Sequence, residues 1–296
     1  MMSTSPQVAF VGLGAIGLPM AGAIARAGIP VLGVEPAPAG RERAAEAGLD
    51  TVSDVSGIGE AAVVVVMVAT PAQLSAVVDA ALAAHVVAAR TWIVSSTVGP
   101  DAVRESAARI EAAGGTVVDA PVSGGIARAS RGDLVLFVSG ADAAIAAVRP
   151  VLDAMGTARV VGAQPGDGQS VKVVNQHLCA VHIVAAAEAL ALAERLDLDP
   201  AFVLDVVGGG AAASFMLGDR GPRMLDGDAP VLSQVGIFVK DTGLVADAAE
   251  AAGIELPVLQ AARDRFLAAA EAGLTARDDS SVIETYRRGA GSEGDR

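Results

Sequence analysis

The sequence predicts an α/β fold: a parallel sheet covered by helices, followed by an all-α C-terminal domain entered through one long helix. Three observations carry that reading. Short β-branched runs alternate with Ala-rich stretches through the first half, as repeated β-α units do. Those runs are apolar throughout, as strands buried on both faces are. Around "GAQPGDG" (162–168) the strand pattern stops, and the rest is Ala-rich with helical spacing.

In chain order, strands are expected at 7–12 ("QVAFVG"), 29–35, 62–69 ("AVVVVMVA"), 91–96 ("TWIVSS"), 115–122 ("GTVVDAPV"), 134–140 ("LVLFVSG") and 158–162. Helical stretches lie among the earlier ones, at 16–27, 38–47, 72–83 and 101–113. A long helix follows at 168–195, then shorter ones at 200–207, 211–218, 232–252, 257–273 and 279–288, with residues 289–296 as a frayed tail. At 296 residues the chain exceeds one typical domain. The division predicted is 1–163 and 164–296.

Composition excludes several roles. Apolar residues make up 52%, enough for a sizeable core, and the net charge of −13 argues against a nucleic-acid partner. The one cysteine, Cys179, excludes an internal disulfide. No Cys/His cluster has metal-ligand spacing, so no metal is expected. His177 and His182 are five apart, on different sides of a helix, and read as packing residues. "MMSTSPQ" lacks the features of a signal peptide, and the longest wholly apolar run, 61–69, falls far short of the ~20 residues of a membrane helix. A cytoplasmic protein with no membrane partner is the expectation. The Ala-rich helices of the second half predict surfaces buried between subunits, in a homodimer or homotetramer.

"FVGLGAIGLPMA" places Gly12, Gly14 and Gly17 in G-x-G-x-x-G spacing between the first strand and a helix. Such a loop turns tightly at Gly12, admits a pyrophosphate at Gly14 and packs helix on strand at Gly17. The free N–H groups of the helix start then face the phosphates, as in a Rossmann-type domain. The cofactor-binding segment is thus Gly12, Leu13, Gly14, Ala15, Ile16 and Gly17. Glu35 ends the second strand 18 residues after Gly17. An acid there accepts hydrogen bonds from ribose hydroxyls and repels a 2′-phosphate, which favours NAD over NADP. Arg41 and Arg43, a turn into the next helix, are expected to be solvated.

Ligands of open α/β sheets bind beyond the carboxyl ends of the strands. There stand Ser123, Gly124 and Gly125, a hydroxyl beside two glycine amides, suited to a carboxylate or simply to chain reversal. Ser96 and Thr97 end another strand, near a nicotinamide or as caps of the helix at 101.

Of the 21 basic residues, all but Lys172 and Lys240 are arginine. On a helix over 168–195, Lys172, Asn175, Gln176 and Cys179 share one face. A buried amine loses pKa through desolvation and through a nearby nicotinamide cation, so it can exchange a proton near neutral pH. Arginine cannot. Lys240, in "GIFVKDTGLVADAA", either reaches the coenzyme or pairs with an acid such as Asp241 or Glu194.

"FVGLGAIGLPMA", "SST", "DAPVSGGIARASRGDL", "GQSVKVVNQ" and "FVKDTGLVADAA" occur in order over nearly the whole chain. Together they resemble the β-hydroxyacid dehydrogenase family, which includes 3-hydroxyisobutyrate dehydrogenase, tartronate semialdehyde reductase and L-threonate dehydrogenase. The resemblance implies an NAD-dependent oxidoreductase acting on a small hydroxy acid, with the site between the two domains. It implies Lys172 as acid/base, Asn175 and Gln176 as orienting residues, Ser123 to Gly125 as carboxylate anchors, and Thr97 and Lys240 as coenzyme contacts. Many members carry Asn where this chain has Gln176, and Thr where it has Asp133; the latter is expected to be without consequence. "AVHIVAAAEALALAERL" and "DDSSVIETY" look most like L-threonate dehydrogenases. The alternatives are an imine reductase-like enzyme and a catalytically silent NAD-binding module.

Overall fold

The computed structural model describes residues 8–287; the predicted tail at 289–296 lies outside the described residues. The chain divides into two compact units, Met1–Lys172 and Val173–Arg296.

The first unit is built on one sheet. Its strands are β1 (Val8–Val11), β2 (Val31–Val34), β3 (Asp50–Val52), β4 (Val63–Val66), β5 (Thr91–Val94), β6 (Thr116–Asp119), β7 (Val122–Ser123), β8 (Leu134–Ser139) and β9 (Gly156–Gly162). The spatial order is β3-β2-β1-β4-β5-β6-β8-β7, with β9 on β8. The first six strands run parallel, in the doubly wound order whose reversal between β1 and β4 creates a ligand crevice. The sheet is not parallel throughout: β8 runs antiparallel to both β6 and β7. The chain turns back through a short connection there, which an antiparallel neighbour tolerates and a parallel one does not. Strand β3, three residues long and opening on an aspartate, has no apolar signal and was absent from the sequence reading.

Side-chain alternation makes two cores from these strands. Val8, Phe10, Val65, Ile93 and Val118 point into one cluster. Ala9, Val11, Val64, Val66, Trp92, Val94 and Val117 point into another. Both faces are apolar because both are covered, and each fully buried aliphatic or aromatic side chain stabilises by about 1.5–3 kcal/mol. The covering helices are α1 (Gly17–Arg26), α2 (Pro38–Glu46), α3 (Pro71–Ala83), α4 (Pro100–Ala112), α5 (Gly125–Arg131), α6 (Asp142–Ala147) and α7 (Arg149–Met155). The reading did not place the last three, which are short. Helix α3 begins with a capping box, Thr70 accepting from the Gln73 N–H while Gln73 reaches back.

Helix α8 (Asp167–Arg195) runs from one unit into the other. By length and composition it could cross a membrane, but half of its most apolar stretch is buried inside the protein. It is a core helix.

The second unit is helical, with α9 (Pro200–Gly208), α10 (Phe215–Leu225), α11 (Val235–Ala251), α12 (Pro257–Ala269) and α13 (Glu284–Arg287). Its core gathers Ile183, Ala187 and Leu190 of α8 with Phe238, Phe266, Val282 and Ile283. Phe238 and Phe266 stack with centroids 5.0 Å apart. Helix α10 starts four residues later and ends seven later than the 211–218 expected. Ser214 caps it, accepting from the Leu217 N–H at 3.0 Å. It continues through Pro222 because Arg220 and Arg223, one on each side, are held by the carboxylates of Asp278 and Asp279. A tertiary ion-pair network outweighs the proline there.

Candidate active site

The glycine loop leaves β1 with its geometry fixed by its neighbours. Gly12 adopts φ +93°, and a Cβ there would stand 2.2 Å from the Met67 carbonyl oxygen, at the end of β4. Only glycine satisfies both conditions. Its N–H donates to the Val34 carbonyl at 2.9 Å, which ties the loop to β2. Leu13 buries its side chain in the sheet core, while Gly14 and Ala15 are exposed. Ile16 precedes α1, which has no side-chain cap and no acid in its first turn. That helix start therefore favours an anion.

Glu35 turns back onto this loop. One carboxylate oxygen accepts the Leu13 N–H at 3.0 Å and the other the Ala37 N–H at 3.0 Å. Each oxygen keeps a second lone pair for a hydroxyl. Arg41, expected to be solvated, is instead half-buried and donates to the carbonyls of Glu35 at 2.9 Å and Pro36 at 2.7 Å. One guanidinium nitrogen thus bridges two successive carbonyls at the bend after β2. Arg43 is exposed, as expected.

Gly40 underlies the acid: a Cβ there would lie 2.6 Å from Glu35 Cγ. Alanine suits a helix better than glycine by about 1 kcal/mol, but displacing Glu35 breaks its bonds to the Leu13 and Ala37 N–H groups, so Gly40→Ala is expected to lower the melting temperature. By swinging Glu35 off the loop, it is also expected to weaken NAD binding about tenfold, the loss of one charge-assisted bond. Calorimetric titration with NAD and NADP checks this.

Beyond β5 the loop 95–99 is clamped from both sides. Ser96 Oγ accepts the Val68 N–H at 2.7 Å and donates to the Val66 carbonyl at 3.2 Å. Neither Ser96 nor Thr97 caps α4, whose N-cap is Gly99. Gln169, in the first turn of α8, accepts the N–H groups of Val98 and Gly99, both at 3.1 Å. Its amide donates to the Ser96 carbonyl at 2.9 Å and to Asp119 Oδ1 at 3.0 Å. Asp119 Oδ2 in turn accepts from the backbone N–H groups of Gly166 and Gln169, both at 3.0 Å, and from the Ser139 hydroxyl at 3.3 Å. Burial pushes the Asp119 carboxyl above its ordinary 3.8, against these bonds, which hold it down.

After β6 the chain passes Pro121 into β7, which ends at Ser123. Ser123 and Gly124 are half-buried and Gly125 is exposed. Gly124, at φ +139°, turns the chain into α5. Asp133, which was expected to be neutral in effect, receives two bonds from Arg128, each 3.2 Å. The pair closes the far end of that helix, and its exposure keeps it worth about 0–1 kcal/mol. The start of α8 packs here too: a Cβ at Gly168 would meet Pro121 Cδ at 3.1 Å. One turn on, Lys172 is only 6% exposed.

Further along α8, Asn175 donates to Gln176 Oε1 at 2.9 Å and to the Cys179 sulfur at 3.3 Å. Gln176 donates to Asp241 of α11, whose other oxygen lies 2.9 Å from Lys240 Nζ. The structure thus brings Asn175, Gln176 and Lys240 together through Asp241, a buried acid that sequence reasoning named only as a charge partner. Nothing in the sequence linked it to Gln176, 65 positions away.

The strand order, the glycine loop and the acid at the end of β2 define an NAD(P)-binding oxidoreductase domain. Residues 7–164 match the family described as the NAD binding domain of 6-phosphogluconate dehydrogenase. Residues 166–286 match the family described as NAD-binding of NADP-dependent 3-hydroxyisobutyrate dehydrogenase. The chain belongs to the 3-hydroxyisobutyrate dehydrogenase-like family of NAD(P)-dependent β-hydroxyacid dehydrogenases. L-threonate dehydrogenase of Cupriavidus necator is 38% identical over 286 residues, spanning 95% of this chain and 96% of that one. The crystal structure of 3-hydroxyisobutyrate dehydrogenase from Salmonella typhimurium is similar at TM-score 0.87 and 36% identity, over 94% of this chain and 99% of that one. The same enzyme from Mycobacterium tuberculosis, solved with L-serine, gives TM-score 0.84 and 32% identity, over 96% and 100%.

Proposed function

We propose that the protein is an NAD-dependent dehydrogenase of a small hydroxy acid, of the L-threonate type first and of the 3-hydroxyisobutyrate or glycerate/tartronate semialdehyde type next, with Lys172 as its acid/base. One observation carries the reading: a chain with only two lysines buries one of them a single turn into a helix whose start is locked to the ends of β5 and β6. In oxidation the amine takes the proton of the substrate hydroxyl; in reduction the ammonium returns it. Arginine at this position could do neither.

The residues present fit the coenzyme. A Cβ at Gly14 would meet no protein atom within 4 Å, so the exposed backbone there has open space beside it. Gly12 to Gly17 would hold the pyrophosphate and Glu35 the adenosine ribose, with Thr97 and Lys240 as further contacts. When bound, the coenzyme accepts the hydride in oxidation and supplies it in reduction. Glu35 disfavours a 2′-phosphate, which supports NAD over NADP. The amides and hydroxyl of Ser123 to Gly125 anchor the substrate carboxylate, and Asn175 and Gln176 orient the substrate and the lysine. Residues 1–163 form the coenzyme-binding domain, which also carries the Ser123–Gly125 anchor, and 164–296 the substrate and subunit-contact domain, which also carries Lys240, in a cytoplasmic homodimer or homotetramer.

The test is a panel of L-threonate, 3-hydroxyisobutyrate, glycerate and tartronate semialdehyde, followed by the absorbance of the reduced coenzyme. Turnover of at least one acid is expected, with kcat/KM higher for NAD than for NADP. Tight NAD binding with no turnover of any acid would favour a catalytically silent module instead.

A further inference from the structure

We propose that Gln169 and Asp119 act as a positioning pair, which sets the reach of the Lys172 amine by fixing the first turn of its helix. Both side chains are fully buried, and each is satisfied from several directions. The Gln169 amide uses its oxygen on two backbone N–H groups, Val98 and Gly99. It uses its nitrogen on one backbone carbonyl, Ser96, and one carboxylate, Asp119. Glutamate there would lack the two donors, methionine would leave four groups unpaired, and asparagine is one methylene short. The position accepts glutamine for a stated geometric reason.

Asp119 does for α8 what an N-cap does, from a distance. The first turn of a helix carries unpaired N–H groups. Here Asp119 Oδ2 takes those of Gly166 and Gln169, and Ser139 Oγ takes that of Gly168 at 2.9 Å. The caps come from the ends of β6 and β8 and not from the residue before the helix. Helix α8 is therefore indexed to the sheet as well as to its own loop, where the Gln164 N–H donates to Asp167 Oδ2 at 3.1 Å. Through Val98 and Gly99 the same amide also indexes the loop that carries Thr97.

A helical side chain covers the turn N-terminal to its own Cα. Lys172 follows Gln169 by three residues, about 4.5 Å along the axis, so its stem runs over the turn that Gln169 anchors. A displacement of that turn moves the amine by a similar amount. Errors of about 1 Å in a reacting group cost on the order of 10²-fold in rate. The inference rests on the acid/base reading of Lys172 and adds to it the residues that make the amine's place reproducible.

The experiment compares Gln169→Glu, Gln169→Asn and the double variant Asp119→Asn/Gln169→Glu with wild type and Lys172→Ala. It measures kcat and KM, the pH dependence of kcat, and melting temperature. Gln169→Glu sets a second carboxylate against Asp119 and the Ser96 carbonyl. Its kcat is expected to fall on the order of 10²-fold. Its ionisation limb is expected to move to higher pH, because added negative charge near the amine favours the ammonium. The double variant restores one charge and reverses one hydrogen bond, so it should return the limb to the wild-type pH and recover at least about tenfold in kcat.

A Gln169→Glu variant with wild-type kcat and pH profile, beside an inactive Lys172→Ala, would overturn the pair and leave the lysine in place. Should Gln169→Glu fail to fold, Gln169→Asn decides. It keeps the amide but holds it one methylene short of its four partners, so a lowered kcat at unchanged KM, with the pH limb in its wild-type place and whatever the melting temperature, supports positioning. A wild-type kcat there overturns it. Wild-type turnover by Lys172→Ala overturns both readings, since the pair would then have no amine to place.

Discussion

Lys172→Ala is expected to lower kcat by about 10²–10⁴-fold, the range a positioned acid/base supplies, while NAD affinity stays within about twofold. Lys172→Arg is the sharper version. It keeps the charge and much of the stem but cannot release a proton, because guanidinium stays protonated at any working pH. If the amine acts only by attracting the substrate carboxylate, arginine should preserve kcat; if it exchanges protons, arginine should fall with alanine. The account predicts the second result. Steady-state kinetics of both variants, with NAD binding measured by calorimetry, separate the two.

Arg220→Met is expected to destabilise the second unit by up to about 3–5 kcal/mol, the cost of breaking a buried ion pair, because it leaves the buried Asp279 with Arg223 alone. Asp279 is fully buried and receives two bonds from Arg220, at 2.9 and 3.2 Å. Burial works against the charged guanidinium, but the bonds and charge of Asp279, with Asp219, outweigh it and raise the Arg220 pKa. Arg223 reaches Asp278 at 3.2 Å and Asp279 at 3.3 Å, so the two arginines of α10 hold the turn before α13. Losing one strands the acids between too few cations. Denaturant unfolding should show the shift, and Arg220→Met/Asp279→Asn should regain a large part of it, since the double variant removes the stranded charge. A single variant as stable as wild type would mean that the network contributes nothing.

What the sequence made legible depends on how local each signal is. Gly12, Gly14, Gly17 and Glu35 stand out as candidates because a G-x-G-x-x-G loop and an acid follow each other within one β-α-β unit. Lys172 stands out as a candidate through rarity, being one of two lysines in a chain that otherwise uses arginine. The family resemblance is borne out by the comparisons with known proteins. Gln169 and Asp119 were not readable, since they stand 50 positions apart and meet only once the sheet has formed. The Lys240–Asp241 pair is legible because the two are adjacent, whereas the bond from Gln176 to Asp241 spans 65 positions and is not. Strand β3 is too short to show a pattern, and Arg41 was misjudged because its partners are backbone carbonyls, which carry no sequence signal. Helix α10 overran its predicted end because ion pairs from a distant turn support it past Pro222.

The central claim is that hydride passes between the carbinol carbon of a hydroxy acid and a nicotinamide held by this chain. The most direct measurement uses the preferred acid of the panel, deuterated at that carbon, with NAD, followed by mass spectrometry of the coenzyme. The account predicts reduced coenzyme carrying one deuterium per turnover. Product formed without deuterium in the coenzyme, or NAD bound while the label never leaves the acid, would contradict it.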